Sequence, residues 1–264
     1  MYMYLSHWHL KSKPFENTPD PGFFYFSPEH EEAYIRFKYG IAENKGAMLL
    51  TGNYGCGKTT LIRLLVSELD PDHNQVAILT HLHGGVEDLL TAILMEFGEE
   101  VMTGNTNALE RKIGERLLHN FNADTSTLLI IDEAQLISDD AVIEEIRLLL
   151  NFQLNDRFLI NILLAGQPEL RDRVDSFPQF EQRIFCRYHL HALDRQETES
   201  YINHRIAVAG SSARIFNSQA LDLIFHHSQG IPRKINNICD LSLLFGASRN
   251  IDEIGADIIN LVCR

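Results

Sequence analysis

The sequence predicts an α/β fold in which a parallel sheet carries helices on both faces and is followed by an all-helical region. Three observations lead to this prediction. Short, continuous apolar runs recur along the first 190 residues of the 264-residue chain, as expected for strands buried on both faces. Segments of helical periodicity separate these runs. After residue 190, four helical segments follow one another without a strand-like run between them.

The elements are predicted in the following order. The five predicted strands are 47–51, 76–80, 128–131, 158–165 and, more weakly, 186–190. The helices predicted around them are 29–44, 61–69, 86–97, 109–121 and 140–150, and those predicted after residue 190 are 197–209, 218–227, 233–247 and 252–262. This order divides the chain into an N-terminal arm (1–28), an α/β domain (29–190) and a helical domain (191–264).

The arm, 1–28, is rich in proline and in aromatic residues, and residues 23–26 read Phe-Phe-Tyr-Phe. Proline lacks a backbone N–H and cannot continue a helix, so a long helix is excluded here. The arm is therefore expected to be extended and to pack on the rest of the protein through its rings.

Composition disfavours nucleic-acid binding, a membrane span, and a zinc site or disulfides. The net charge is -13, with 23 Lys and Arg against 36 Asp and Glu, which disfavours nucleic acid as a partner without excluding it. No apolar run approaches the ~20 residues of a membrane span, and no leader is evident, so a soluble cytoplasmic protein is expected. Four well-separated cysteines without a CxxC pair favour buried thiols over a zinc site or disulfides.

A phosphate-binding loop is predicted at residues 52–59, where Gly-Asn-Tyr-Gly-Cys-Gly-Lys-Thr fits GxxxxGK[ST] without a mismatch. The loop follows a predicted strand and opens a predicted helix, which is the context that the motif requires. Its glycines allow backbone N–H groups to surround a phosphate, and the helix N-terminus adds partial positive charge. Lys58 is expected to reach the β- and γ-phosphates, and Thr59 to offer its hydroxyl to Mg²⁺. Tyr54 and Cys56 are expected to be packing residues.

Two carboxylates, Asp132 and Glu133, end the apolar run 128–131. An acid at that end of a strand can hold the hydration shell of Mg²⁺, and Asp132 is predicted to do so. Glu133 is expected to point elsewhere and to polarise an attacking water, the general-base role in phosphoryl transfer to water. A solvated acidic turn is the alternative, which the phosphate loop in the same chain disfavours.

These motifs, with the helices downstream, resemble the AAA+ superfamily, and within it the ATPases of the general secretion pathway protein A type. Segments along nearly the whole chain carry the resemblance. Residues 13–15, 18–21, 24–25, Ser27 and His30 resemble the N-terminal arm of the family, and the match continues at 131–135, 166–171, 182–184, 187–190 and 230–236. It implies a P-loop AAA+ core with a five-stranded parallel sheet, a C-terminal all-helical lid, and a nucleotide in the crevice between them.

The resemblance also assigns roles to single residues. Gln167, after the fourth strand, matches sensor 1, which reads the γ-phosphate; a buried amide that caps the strand is the alternative. Arg183 lies where an arginine finger would reach the nucleotide of a neighbouring subunit and stabilise charge on the transferred phosphoryl. Arg187 is the alternative finger, and a surface salt bridge is the other interpretation of either arginine. Arg233 matches sensor 2 in the lid.

The predicted site combines the motifs with the resemblance, and its cofactors are ATP and Mg²⁺. The cofactor-binding residues are Gly52, Asn53, Tyr54, Gly55, Cys56, Gly57, Lys58, Thr59, Thr60 and Arg233; the metal ligands are Thr59 and Asp132; the catalytic residues are Glu133, Lys58, Arg183 and Gln167. Adenine is expected against the aromatic arm between Phe15 and Phe26.

The resemblance implies ATP hydrolysis by a homo-oligomer, ring-like or hexamer-like, that serves secretion or envelope assembly through protein partners. Proteins of this type are typically longer, with a membrane span and a peptidoglycan-binding part, so a stand-alone relative or an excised ATPase domain is expected. Two alternatives stay open. A DNA-engaging AAA+ regulator, similar to transposition-targeting proteins, would bind DNA in a salt-sensitive way, but the acidity of the chain weighs against it. A nucleotide-gated scaffold would bind ATP and turn over negligibly.

Three histidine pairs are candidate metal ligands: His81 with His83, His189 with His191, and His226 with His227. No carboxylate or third imidazole recurs around them at helical or strand spacing, so no structural metal is predicted.

Overall fold

The computed structural model describes residues 4–80, 82, 84–100, 105–154 and 157–264. By the contacts between residues, the chain divides into two compact units. The first, termed the sheet unit, comprises Glu32–Gly52 and Leu64–Leu190. The second, termed the helical unit, comprises the described residues up to Glu31, together with Asn53–Arg63 and His191–Arg264. The predicted division into 1–28, 29–190 and 191–264 groups the arm and the phosphate loop differently.

The sheet unit is built on five parallel strands. They are β1 (Ala47–Gly52), β2 (Asn74–Leu79), β3 (Ser126–Ile131), β4 (Asn161–Gly166) and β5 (Ile184–Leu190). Their order across the sheet is β2-β3-β4-β1-β5, and every described pairing is parallel. β1 and β4 are buried along their whole length, as a continuous apolar run predicts. The predicted five-stranded parallel sheet is confirmed.

Eleven α-helices lie in the described part of the chain. They are α1 (Pro28–Ala42), α2 (Lys58–Ser67), α3 (Val86–Glu96), α4 (Thr106–Asn122), α5 (Asp140–Leu149), α6 (Glu169–Asp175), α7 (Pro178–Glu181), α8 (Arg195–Val208), α9 (Ser218–Ser228), α10 (Pro232–Ser248) and α11 (Ala256–Val262). Short 3-10 turns lie at Pro21–Phe23 and Ala134–Leu136. None of the helices described is both long enough and apolar enough to span a bilayer.

Helices cover both faces of the sheet. On one face, strand side chains such as Leu49, Leu129 and Leu164 share a core with residues of α3 to α7. On the other face, Gly40 of α1 lies so close to β1 that an added Cβ would come within 2.6 Å of the Met48 sulfur. The fold is therefore a three-layer α/β sandwich, which brings the carboxyl ends of all five strands to one edge.

The structure corrects two local predictions. β4 begins at Asn161 rather than at residue 158, because the backbone before it pairs locally: Phe158 bridges Gln153, and the Leu159 N–H donates to the Phe152 carbonyl at 2.9 Å. The apolar residues just before it are buried without joining the sheet. The short helices α6 and α7 were not predicted, because seven and four residues are too few to show a helical period.

The arm packs on the helices of the helical unit. Tyr4, Trp8, Leu10 and Phe15 are buried in one core with residues of α8 to α11. The expectation of an extended arm is wrong for residues 4–9, which form turns closed by Trp8 N–H to Tyr4 O at 3.1 Å. The turn brings both rings to the same core, and the Trp8 indole N–H donates to the Leu243 carbonyl at 2.9 Å.

A buried arginine on α8 ties the arm to this core a second time. Arg205 donates to the Tyr201 hydroxyl at 2.8 Å and to the Glu16 carbonyl at 3.2 Å. Its guanidinium also lies 5.1 Å from the centre of the Phe23 ring, which is a favourable cation–π distance. The middle of the arm is thereby held on α8, and its start is held on α10.

The burial of Trp8 predicts a large loss of stability on truncation. Trp8→Ala removes a ring that is 4% exposed together with its hydrogen bond to the Leu243 carbonyl, so unfolding should become easier by about 3–5 kcal/mol. Urea unfolding followed by far-ultraviolet circular dichroism measures the change. Met95→Ala on α3, where the side chain is 65% exposed, is the control and should change stability by less than about 0.5 kcal/mol. Equal effects of the two variants would contradict the placement of the arm.

Candidate functional site

The carboxyl edge of the sheet gathers several of the predicted residues. In the register of the strands, Thr51 of β1 pairs with Gly166 of β4, and Ile131 of β3 pairs with Leu164 of β4. The residues at or just beyond these strand ends are therefore neighbours at one edge. They are Gly52, Asp132, Glu133 and Gln167.

The acidic pair follows β3 at a sharp turn of the backbone. Asp132 is buried, its N–H donates to the Leu79 carbonyl of β2 at 2.8 Å, and its Oδ1 accepts the Glu133 N–H at 2.9 Å. Glu133 has a φ of 54°, in the left-handed region that non-glycine residues rarely adopt. Such backbone strain is a common property of functional positions.

A residue that was not singled out, Gln135, connects the acidic pair to the end of β4. Its Nε2 donates to Glu133 Oε2 at 2.6 Å, and its Oε1 accepts the Gln167 N–H at 3.0 Å. A Cβ added to Gly166 would lie 2.4 Å from this Oε1, so only glycine leaves room for the amide. In the sequence, Gln135 is visible as an amide two residues after the acidic pair. Its hydrogen bond to the Gln167 backbone is visible only in the folded structure.

The two arginine-finger candidates differ in their surroundings. Arg187 on β5 pairs with Asp175 and Glu181, so its charge is balanced within the sheet unit. Each arginine has one buried guanidinium nitrogen without a hydrogen-bond partner among the described residues, Nη1 of Arg183 and Nη2 of Arg187. This feature does not separate the two candidates, whereas the two ion pairs of Arg187 favour Arg183 as the arginine whose charge is left for another molecule.

The phosphate loop belongs to the helical unit from Asn53 onward. Gly55 and Gly57 have φ values of 86° and 99°, a conformation that glycine adopts without strain. α2 starts at Lys58, earlier than predicted, and includes Thr59 and Thr60 in its first turn. Lys58 is 6% exposed, and its Nζ donates to the Asn53 carbonyl at 3.2 Å, which places its ammonium across the loop.

Two carbonyls of the loop accept hydrogen bonds from elements far away in the sequence. The Arg233 N–H, in the first turn of α10, donates to the Gly55 carbonyl at 3.3 Å. The imidazole Nε2 of His30, near the start of α1, lies 3.0 Å from the Cys56 carbonyl. The first turn of a helix has N–H groups without an intrahelical partner, so α10 satisfies one of them at the loop.

Arg233 also contacts Tyr54 of the loop. Its guanidinium lies 4.7 Å from the centre of the Tyr54 ring and donates a hydrogen bond to the Tyr54 hydroxyl. Tyr54 is 59% exposed, so its interpretation as a packing residue is wrong, whereas Cys56 is fully buried as expected. Arg233 therefore lies against the phosphate loop, and its role as sensor 2 stays a prediction.

The aromatic residues of the arm differ in their availability to a base. Phe15 is 2% exposed and packs edge-on against Phe216, with the ring centres 6.3 Å apart, so it cannot stack on adenine. Phe26 is 44% exposed, and Phe24 meets the His30 ring edge-on at 5.5 Å. Phe24 and Phe26 are therefore better candidates than Phe15.

The histidine pairs contribute no cluster of metal ligands in the described part of the chain. His189 Nδ1 lies 2.9 Å from the Thr51 hydroxyl, and His191 Nδ1 lies 2.9 Å from Glu29. His81 and His83 lie outside the described residues. Where the structure describes the chain, no group of three or more His, Cys, Asp or Glu could hold a metal ion.

The predicted site residues fit ATP and Mg²⁺ in their chemistry. Thr59 and Asp132 offer a hydroxyl and a carboxylate, and oxygen ligands are those that Mg²⁺ prefers. The buried Lys58 ammonium and the glycine-rich loop provide a cation and backbone N–H groups for phosphate.

Comparison with known proteins gives two matches in sequence. An AAA domain model matches residues 41–174, half of the chain. General secretion pathway protein A of Aeromonas hydrophila is 36% identical over 255 residues, which cover 96% of this chain and 46% of that protein. The chain thus spans about half the length of this curated relative.

Several solved structures share the fold. The ORC2 protein of Aeropyrum pernix, in ADPNP and ADP complexes, has a TM-score of 0.67 at 17% identity and covers 93% of this chain and 71% of its own. Cdc6p of Pyrobaculum aerophilum has a TM-score of 0.69 at 16% identity, covering 89% and 68%. The RuvB Holliday junction branch migration motor of Thermotoga maritima has a TM-score of 0.60 at 18% identity, covering 90% and 68%. At these identities the likeness shows the fold alone.

The burial of Cys56 within the loop predicts a low thiol reactivity. Burial raises the pKa of the Cys56 thiol, and it raises that of Cys239 still further, so little reactive thiolate exists at pH 8. The half-buried Cys263 should be alkylated by iodoacetamide at least about tenfold faster than either, because buried thiols react only through local opening. Peptide mapping by mass spectrometry measures the four rates, with a denatured sample as the control. Equal native rates for Cys56 and Cys263 would contradict the packing of the loop.

Proposed function

Because this chain belongs to the AAA domain family of ATPases, we propose that it binds ATP in the loop starting at Gly52 and hydrolyses it with Glu133 as general base. The observation that carries the proposal is the arrangement of strand ends at one edge of the sheet. β1 leads into the phosphate loop, β3 ends at the acidic pair, and β4 lies between them and ends at Gln167. Ligands of open α/β sheets bind at this edge.

Each step of the proposed hydrolysis uses a residue of this chain. Lys58 binds the β- and γ-phosphates and compensates the negative charge that grows on the β–γ bridging oxygen as the bond to the γ-phosphorus breaks. Glu133 orients the attacking water and takes its proton. Gln167 contacts the γ-phosphate. When bound, Mg²⁺, held by Thr59 and Asp132, neutralises phosphate charge.

Gln135 couples two of these residues. Its amide holds one carboxylate oxygen of Glu133 and the backbone N–H of Gln167 at the same time, at 2.6 and 3.0 Å. A displacement of Gln167 on contact with the γ-phosphate would therefore reach the base through the Gln135 amide. This geometry supports a site in which the contact with the γ-phosphate and the position of the base are coupled.

Self-association is part of the proposal. The ion pairs of Arg187 with Asp175 and Glu181 balance its charge, which supports Arg183 as the arginine finger that acts on a second copy of the chain. A finger in trans makes hydrolysis depend on assembly, and such a group contributes roughly 10³ to 10⁵ in rate. We infer a homo-oligomer of the ring type.

The cellular role follows the similarity to general secretion pathway protein A. That similarity covers nearly the whole of this chain, and it supports energy-dependent assembly of secretion or envelope machinery. We propose protein partners in that machinery and a cytoplasmic location for the nucleotide site.

The roles of Lys58 and Glu133 predict different defects. Lys58→Ala should weaken ATP binding at least about tenfold, because a charge-assisted contact to phosphate is lost, and hydrolysis should fall with it. Glu133→Gln should keep ATP affinity within about twofold and lower turnover by roughly 10² to 10⁴, the usual contribution of a general base. Equilibrium binding of a fluorescent ATP analogue and phosphate release measure the two quantities.

Normal turnover in Glu133→Gln would remove the assignment of the base. The same assay with duplex DNA, at low and at physiological salt, tests the DNA-engaging alternative, which requires stimulation that fades with salt.

The proposed finger predicts complementation between two inactive variants. Arg183→Ala and Glu133→Gln should each be nearly inactive alone, and mixing them should restore turnover, because mixed assemblies pair an intact Glu133 with an intact Arg183 from the next subunit. Specific activity of the wild-type chain should also rise with protein concentration. Arg187→Ala is the matched control and should retain the concentration dependence. A mixture no more active than its components, with flat specific activity, would contradict a finger in trans.

A further inference from the structure

The carbonyl groups of a phosphate loop must be held away from the ligand. A carbonyl oxygen carries partial negative charge, so it repels an anion, whereas the N–H groups of the loop attract it. In a trans peptide the C=O of one residue and the N–H of the next share a plane and point in opposite directions. A hydrogen bond that holds a loop carbonyl outward therefore also aims the following N–H inward.

His30 makes such a bond to the carbonyl of Cys56. Its Nε2 lies 3.0 Å from the Cys56 oxygen, and the described chain contains no cis peptide. The N–H in the same peptide plane is that of Gly57, the residue immediately before Lys58. The direction of the Gly57 N–H is thus set by the imidazole of His30.

The ring is itself fixed at its other nitrogen. Ser27 Oγ lies 2.7 Å from His30 Nδ1 and accepts the His30 backbone N–H at 3.3 Å. A carbonyl can only accept, so Nε2 carries the hydrogen toward Cys56, and Nδ1 then accepts the hydroxyl hydrogen of Ser27. Hydroxyl, imidazole and carbonyl form one chain of hydrogen bonds with a single consistent set of donors.

The ring lies in direct contact with the loop. His30 is 5% exposed, and a Cβ added to Gly57 would come within 3.1 Å of Nε2. Gly57 also has a φ of 99°, which disfavours other residues at this position. Burial lowers the pKa of His30, so the ring acts as a neutral donor rather than as a charge.

We propose that His30 is a positioning residue of the phosphate loop, which orients the Gly57 N–H toward phosphate through its hydrogen bond to the Cys56 carbonyl. The consequence for nucleotide affinity rests on the proposed function; the orientation of the loop does not. The role is distinct from packing, because it depends on one hydrogen atom at Nε2.

Two amide variants separate the hydrogen bond to Cys56 from the other contacts of the His30 side chain. In His30→Gln the amide nitrogen can occupy the position of Nε2 and keep the donor toward Cys56. In His30→Asn the amide reaches only the position of Nδ1, so the contact with Ser27 can persist while the Cys56 carbonyl loses its donor. Trp8→Phe, in the same helical unit and away from the loop, is the control for loss of stability.

Two measurements on the full chain test the role of His30: amide hydrogen exchange of the phosphate loop and the Kd for ADP. Amide hydrogen exchange without nucleotide should be at least about threefold faster for residues 53–60 in His30→Asn and close to wild type in His30→Gln. The Kd for ADP should rise by about 3- to 10-fold in His30→Asn, the range expected for one buried hydrogen bond, and by less than about twofold in His30→Gln.

Three outcomes would overturn the proposal: wild-type exchange in His30→Asn, equal changes in His30→Asn and His30→Gln, or the same change in Trp8→Phe at a matched loss of Tm. A wild-type chain that binds no ADP would overturn the proposed function instead. The exchange measurements would then still support or overturn the role of His30 in orienting the loop.

Discussion

The parallel pairing of β3, β4 and β1 is the constraint on which the candidate site depends. Parallel strands all point the same way, so whatever follows each strand must leave from the same edge of the sheet. The order β3-β4-β1 then places Gln167 between the acidic pair and the start of the phosphate loop. Antiparallel pairing of β4 would move Gln167 to the opposite edge and leave Glu133 without Gln135 as a link to it.

Parallel pairing imposes a second requirement, which the composition of the strands satisfies. Helices must return the chain between successive strands, and they cover both faces of the sheet. β1 and β4 therefore consist of residues that are buried on both sides, and Gly40 allows α1 to approach Met48 closely. Packing on both faces thereby supports the sheet edge, which would help the proposed base Glu133 to stay within hydrogen-bond reach of a water.

The phosphate loop depends on a different kind of support. Its glycines can adopt the required backbone conformation, but they can adopt many others as well, so glycine alone does not fix the loop. Selection comes from the donors that hold its carbonyls, which are the Arg233 N–H on α10 and the imidazole of His30 on α1. The start of α1 and the C-terminal helix α10 thus support the phosphate loop without belonging to its motif.

The sequence by itself determined the order of the five strands and of the longer helices and the parallel sheet, and it predicted the phosphate loop and the acidic pair, because each is encoded in residues close together along the chain. Periodicity, GxxxxGK[ST] and an acid after an apolar run are local signals. Tertiary structure alone decided the turned arm, the exposure of Tyr54, the different surroundings of Arg183 and Arg187, and the contacts of Gln135 and His30. The contacts of His30 with Cys56, of Gln135 with Gln167 and of Tyr54 with Arg233 join residues 26, 32 and 179 positions apart. The arm is held by the hydrogen bond of Trp8 to Leu243, 235 positions away. A hydrogen bond across that separation leaves no pattern in either segment, since only the packed fold brings donor and acceptor within 3 Å.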